Sequence, residues 1–156
     1  MGWMVGGPLG GWVSDRIGRR KPPMVVGSIG ALISIVIFLY VPNMPLWLLG
    51  TDIFFLGFFS SGFLPAFSVI KESNPEYAQG TSLGFMNTLN SIGPAVAQLA
   101  IGILLDMLAT RHIAAGQMLY SSTDYIKALT ILPVFIIIAI ALLPFIHETY
   151  CHSEHH

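Results

Sequence analysis

The stretch GWVSDRIGRRK, residues 11–21, sets five charged side chains between two segments that carry none. Asp15, Arg16, Arg19, Arg20 and Lys21 form the densest charge cluster in the chain. Upstream, Met1 to Val13 is apolar and rich in glycine, but 13 residues are too few to cross a bilayer. Covering about 30 Å of hydrocarbon at about 1.5 Å per residue takes roughly 20 residues. The segment reads as the stub of a helix whose beginning is missing, or as a flexible apolar terminus. Its glycines give two small-xxx-small pairs, Gly6/Gly10 and Gly7/Gly11, a spacing that lets helix backbones approach closely in lipid.

Downstream of the charged stretch the apolar runs are long. Met24 to Val41 holds 18 residues without a charge. Leu46 to Ile70 is interrupted only by Asp52, and Gly80 to Leu108 is studded with Asn87, Asn90, Gln98 and Asp106. Ile126 to Ile146 has Lys127 alone, at its start. Composition agrees: of 156 residues 54% are hydrophobic and 10% charged. A soluble domain of this size carries about 25% charged residues, because its surface faces water. The expected fold is therefore all-α and integral to a membrane. It has four transmembrane helices (24–41, 46–70, 80–108 and 126–146) after a partial amino-terminal helix (1–13), and a polar tail, 147–156.

Net charge is -1, so no basic field points to nucleic acid. The lone Cys151 allows no intrachain disulfide. No basic stretch precedes the first apolar residues, so no cleavable signal peptide is expected. Orientation follows from Lys and Arg in the short connections. With four crossings, Arg16, Arg19, Arg20, Lys21 and Lys71 fall on one side and Arg111 and Lys127 on the other. That bias puts the first connection and the carboxyl terminus in the cytoplasm, and the chain in a plasma or bacterial inner membrane.

The charged stretch resembles the signature loop of the major facilitator superfamily of secondary transporters. There a Gly precedes Asp-Arg-x-Gly-Arg-Arg/Lys between two transmembrane helices. The match covers Gly11, Asp15, Arg16, Gly18, Arg19 and Arg20. Physical chemistry accounts for much of it. A short connection between antiparallel helices needs the dihedral freedom of Gly18, and the cations hold the loop at the headgroup layer. Asp15 is not needed for topology. An acid at a helix end wants an Arg or a helix amino terminus, and Asp15 and Arg16, next to each other in sequence, can serve each other or an adjacent helix. Topology-setting charges alone would explain the cations but neither the Asp nor the glycines.

The resemblance implies that this Asp meets a helix of the opposite six-helix half and latches one state of an alternating-access cycle. It also implies which copy of the loop this is. A first-half copy is followed by a helix bearing Arg, whereas the next two runs here have none. Ile92-Gly93-Pro94 is similar to the family's fifth helix, but the missing Arg outweighs it. The chain is thus expected to run from the end of helix eight to helix twelve of the carboxyl-terminal half. Asp15's partner, and the Asp that would meet the helix starting near Gly80, belong to the other half.

Asn87, Ser91, Pro94 and Gln98 recur at helical spacing, with Asn90 beside them. Such a stripe in lipid either hydrogen-bonds a neighbouring helix or lines a watery path. By resemblance this helix borders the central cavity, which makes Asn87, Asn90 and Gln98 candidates for substrate contact. Asp52 lies about 9 Å along its helix from Leu46. It is a candidate coupling-ion site or a structural acid reaching water near the helix end. The His-rich tail from His147 fixes no metal geometry, no cofactor is implied, and no nucleophile–base set suggests an enzyme. The expected function is a fragment of a transporter moving a small solute, unable to transport alone, with a separately encoded amino-terminal half as a partner. The alternative is a truncated remnant, or a small non-transporting membrane protein that packs on another.

Overall fold

The computed structural model describes residues 1–109, 113–114, 117–118 and 120–146. Arg111, and the tail from His147, lie outside them. Helix α1 (Gly2–Ile17) stops at Gly18, whose φ of 66° and ψ of 24° are left-handed. Gly18 N–H donates to the Asp15 carbonyl and Arg19 N–H to the Ser14 carbonyl, both at 3.3 Å. These two bonds make a Schellman cap, which glycine closes without a Cβ clash. The helix therefore carries Ser14, Asp15 and Arg16 within it, beyond the expected stub end at Val13. The connection shrinks to residues 18–20, because α2 (Lys21–Tyr40) begins at once. Pro22 and Pro23 sit in its first turn, where a missing N–H costs nothing.

Tyr40 leads into a short turn whose Asn43 takes φ 53°. The second span, Leu46–Glu72, holds α3 (Leu46–Ser60), a 3-10 turn (Ser61–Phe63) and α4 (Pro65–Glu72). Pro65, which cannot donate to the helix, marks the break. Helix α5 (Glu76–Ala109) is 34 residues long, about 51 Å at the usual rise, and exceeds the expected 80–108 at both ends. Beyond it, Ile113–Ala114 pairs antiparallel with Gln117–Met118. The last span, Ser122–Phe145, comprises α6 (Ser122–Leu129), α7 (Ile131–Leu142) and a 3-10 turn (Leu143–Phe145). It starts four residues before Ile126 because Ser121 and Asp124 form a capping box there. Among the described residues four helical spans are thus long and apolar enough to cross a membrane, as an all-α membrane protein requires.

Packing centres on α3, which lies against both α1 and α2. Glycines set how close they come. A Cβ on Gly27 would lie 2.7 Å from the Gly62 Cα, so α2 and the second span touch backbone to backbone. Gly30 receives the Phe59 ring, and Gly2 and Gly6 abut the Phe54 and Phe58 carbonyls. The close approach of α1 thus uses Gly2 and Gly6 rather than the expected pairs. A Cβ on Gly10 or Gly11 would meet nothing within 4 Å. Helix α2 is fastened to the last span at both ends. Thr130 already donates to the Ile126 carbonyl at 2.7 Å, so Tyr40 is the donor in its 2.9 Å bond to Thr130. At the other end Lys21 Nζ donates to the Pro144 carbonyl at 3.1 Å. Helix α5 packs on α4, α6 and α7 and leaves most of its surface exposed.

Candidate functional site

The charged connection becomes a structured site around Arg20. Its side chain is only 10% exposed and, from the N-cap of α2, reaches α1 and α4. Nη1 donates to Asp15 Oδ1 of α1 at 2.5 Å and to Ser14 Oγ at 3.1 Å. Nη2 and Nε grip the Glu72 carboxylate of α4 at 2.5 and 3.5 Å. Guanidinium suits this use, since its planar fork keeps its charge and donates in several directions at once. Ser14, fully buried, completes the arrangement by donating to the Arg19 carbonyl at 3.2 Å. The ends of α1, α2 and α4 are thereby joined through one cation.

Of the two alternatives open to Asp15, Arg16 or an adjacent helix, the geometry takes the second. Consecutive residues on a helix point about 100° apart, so the two side chains diverge. Arg16 instead lies 5.0 Å over the Trp12 ring. Asp15 pairs with Arg20, five residues on, because the Gly18 cap folds the chain back. Asp15 stays 68% exposed and Glu72 only 15%. Glu72 escaped the sequence reading, being 52 residues from Arg20. Its signal was present: an acid at the end of a span on the same membrane face as the basic connection. Gly11 and the exposed Arg19 complete the motif, Gly11 facing open space.

The other candidates are not gathered into one place. Asp52 on α3 is buried, 7% exposed, and its Oδ2 has no hydrogen-bond partner among the described residues. Asn87, Asn90 and Gln98 are exposed on α5, and α5 does not share the packing of α3 on α1 and α2. Ser91 Oγ and Thr88 Oγ1 bond back to the carbonyls four residues earlier, Asn87 and Gly84, so both hydroxyls serve their own helix. Toward the far end, the Tyr120 hydroxyl donates to Asp106 Oδ1 at 3.0 Å. That bond and the carboxylate's charge raise the phenol above its ordinary pKa. Among the described residues no group of three or more His, Cys, Asp or Glu could hold a metal.

A motif of this composition, at the junction of α1 and the first span and built into a three-helix clasp, agrees with the match of residues 1–150 to the family model of the Major Facilitator Superfamily. The chain belongs to the Major Facilitator Superfamily. A protein of Haemophilus influenzae that carries the provisional name of a metabolite transport protein is 32% identical over 128 residues. The alignment takes in 70% of this chain and 31% of that relative, so the chain spans under a third of the relative's length. No solved structure shows a significant match. Membership in the superfamily fits the four apolar spans found among the described residues, and the clasp around Arg20 stands where α1 meets the first of them.

Proposed function

We propose that this chain is the carboxyl-terminal part of a secondary transporter that moves a small solute across the cytoplasmic membrane by alternating access. The observation that carries the reading is Arg20, held between Asp15 and Glu72 at one end of three helices. The clasp fixes α1, α2 and α4 as one body while leaving most of Asp15 accessible to a further element. Gly11, Asp15, Arg16, Gly18, Arg19 and Arg20 act as the latch loop on the cytoplasmic face, and the carboxyl terminus lies on that face. Asp52, Asn87, Asn90 and Gln98 are assigned to solute or coupling-ion contact in the complete assembly. Binding sites in such transporters form near the midplane between repeats, so residues separated in this chain can meet across a partner half. The relative's name supports a metabolite as the class of solute.

The test is uptake of a panel of labelled metabolites into proteoliposomes. This chain alone is expected to give none above empty vesicles. Joined to the remaining portion of the Haemophilus influenzae relative, it is expected to restore uptake that Asp15→Asn then slows. Uptake by the chain alone, or a joined protein that moves no metabolite tested, would overturn the proposal.

A further inference from the structure

At the end of α2 away from the clasp, a groove of about 430 Å³ runs between that helix and the start of α6. One wall is the last turn of α2 and the residues after it, Phe38 to Pro42. The other is Ser122, Tyr125, Ile126 and Leu129, one face of α6 at helical spacing. From Ser122 at the rim to Leu129 this wall runs about 10 Å into the span, and Phe38 and Leu129 make the inner end apolar. The polar groups at the rim accept hydrogen bonds more than they donate. Tyr40 spends its proton on Thr130, so its oxygen has only lone pairs left to offer. The last carbonyls of α2 have no helical N–H to meet. The next N–H, that of Val41, is bound to the Ile37 carbonyl, and Pro42 has none. Among the described residues no Lys or Arg lines the groove, and none stands in the last turn of α2 to offset the negative end of its dipole. Lys127 of α6 is two positions from both Tyr125 and Leu129, which turns it about 160° away from each. Tyr120 packs on Tyr125 at 5.9 Å and donates to Asp106, adding a carboxylate to the same end.

We propose that this groove binds phosphatidylethanolamine, with the ammonium among the α2 carbonyls and the Tyr40 and Tyr125 hydroxyls and an acyl chain along Ile126 and Leu129. Charge complementarity at the rim and the apolar depth behind it select the occupant. A primary ammonium brings three N–H donors to a rim with a surplus of acceptors, and the tyrosine rings attract a cation over their faces. A choline headgroup keeps the charge but has no N–H, and an anionic headgroup adds acceptors where they are already in excess. The site rests on the chain being embedded in a bilayer, and is independent of which face is cytoplasmic and of whether the chain moves a solute.

Phosphatidylethanolamine and its mono-, di- and trimethylated forms share phosphate and chains and lose one N–H at each step, which makes them the probes. In native mass spectrometry of the purified chain, with the four offered at equal mole fraction, retention is expected to fall about fivefold for each N–H lost, the net worth of one hydrogen bond. Tyr125→Phe keeps the ring beside Tyr120 and removes one acceptor, and is expected to cut the preference for the primary amine about fivefold. Tyr77→Phe, on an exposed tyrosine outside the groove, leaves it unchanged. Flat retention across the methylation series, or a Tyr125→Phe preference equal to that of the wild type, overturns the proposal. Location is read by quenching of the tryptophan introduced by Phe38→Trp in a Trp3→Phe/Trp12→Phe/Trp47→Phe background in nanodiscs. Phosphatidylethanolamine with brominated chains is expected to quench more than phosphatidylcholine with the same chains, and equal quenching overturns the site. So does displacement of the lipid by free phosphoethanolamine, which would give the groove to a soluble amine, or a dimer that excludes the lipid, which would give it to a second copy.

Discussion

Replacing Arg20 with methionine tests the clasp most directly, because its two acidic partners are buried to very different degrees. The Glu72 side chain is 15% exposed and Asp15 is 68% exposed. Removing one member of a buried ion pair costs about 3–5 kcal/mol, since the remaining charge stays out of water. Glu72 sits at the end of a span, where some water reaches it, so the low end applies: about 3 kcal/mol for Arg20→Met. Asp15 can rehydrate when its partner goes, and an exposed pair is worth about 0–1 kcal/mol. Asp15→Asn should therefore cost under about 1 kcal/mol. Glu72→Gln keeps an acceptor but loses a charge-assisted bond, about 1.5–3 kcal/mol. The expected order of destabilisation is Arg20→Met, then Glu72→Gln, then Asp15→Asn. Equilibrium unfolding in mixed detergent micelles, followed by circular dichroism, reads it. A double-mutant cycle on Arg20 and Glu72 should show coupling well above that of Arg20 and Asp15. An Asp15→Asn penalty larger than that of Glu72→Gln would refute the assignment of Glu72 as the main structural partner.

Three further outcomes follow from the same packing and topology. Gly27→Leu or Gly62→Leu should destabilise by about 1–3 kcal/mol in that assay, because a side chain cannot enter a 2.7 Å backbone approach without parting the helices; stability within about 0.5 kcal/mol of wild type would show that the two spans are not in contact. Gly18→Ala should cost about 1 kcal/mol, the penalty of a Cβ at φ 66° in otherwise open space, and a neutral result would mean that the left-handed cap is absent. In a Cys151→Ser background, Arg19→Cys should be labelled by an impermeant maleimide only after the inner face is opened; labelling of intact cells would reverse the topology.

Much of the fold was legible because lipid imposes a simple demand. Each of the four long apolar runs became a span, and the scarcity of charge alone ruled out an ordinary soluble domain. Helix ends were less legible, and for a consistent reason. Ser14, Asp15 and Arg16 look like loop residues by polarity, yet they are helical because the Gly18 cap, not the first charge, ends α1. Likewise Ser121 and Asp124 start the last span among polar residues. Where termini are set by hydrogen-bonded caps, hydropathy misplaces them by about a turn.

The candidate site shows the same division at a finer scale. Motif reading located the loop, since Gly18, the cations and Asp15 stand together in sequence. Pairing could not be read, because it depends on two facts that become visible only in three dimensions. One is that the cap turns the chain back so that Arg20, not Arg16, faces Asp15. The other is that the second span returns to the same membrane face and brings Glu72 to the other side of the guanidinium. Polar groups in α5 followed the opposite course: Asn87 and Gln98 share one helical stripe with Asn90 beside it, yet all three stay exposed. In hydrocarbon an amide without a partner is costly, so the solute-contact role proposed for them needs that face to meet water or another protein. The clasp end finds its polar partners on α1 and α4, whereas the α5 amides stand on an exposed face, a difference set by which helices pack together and not by polarity.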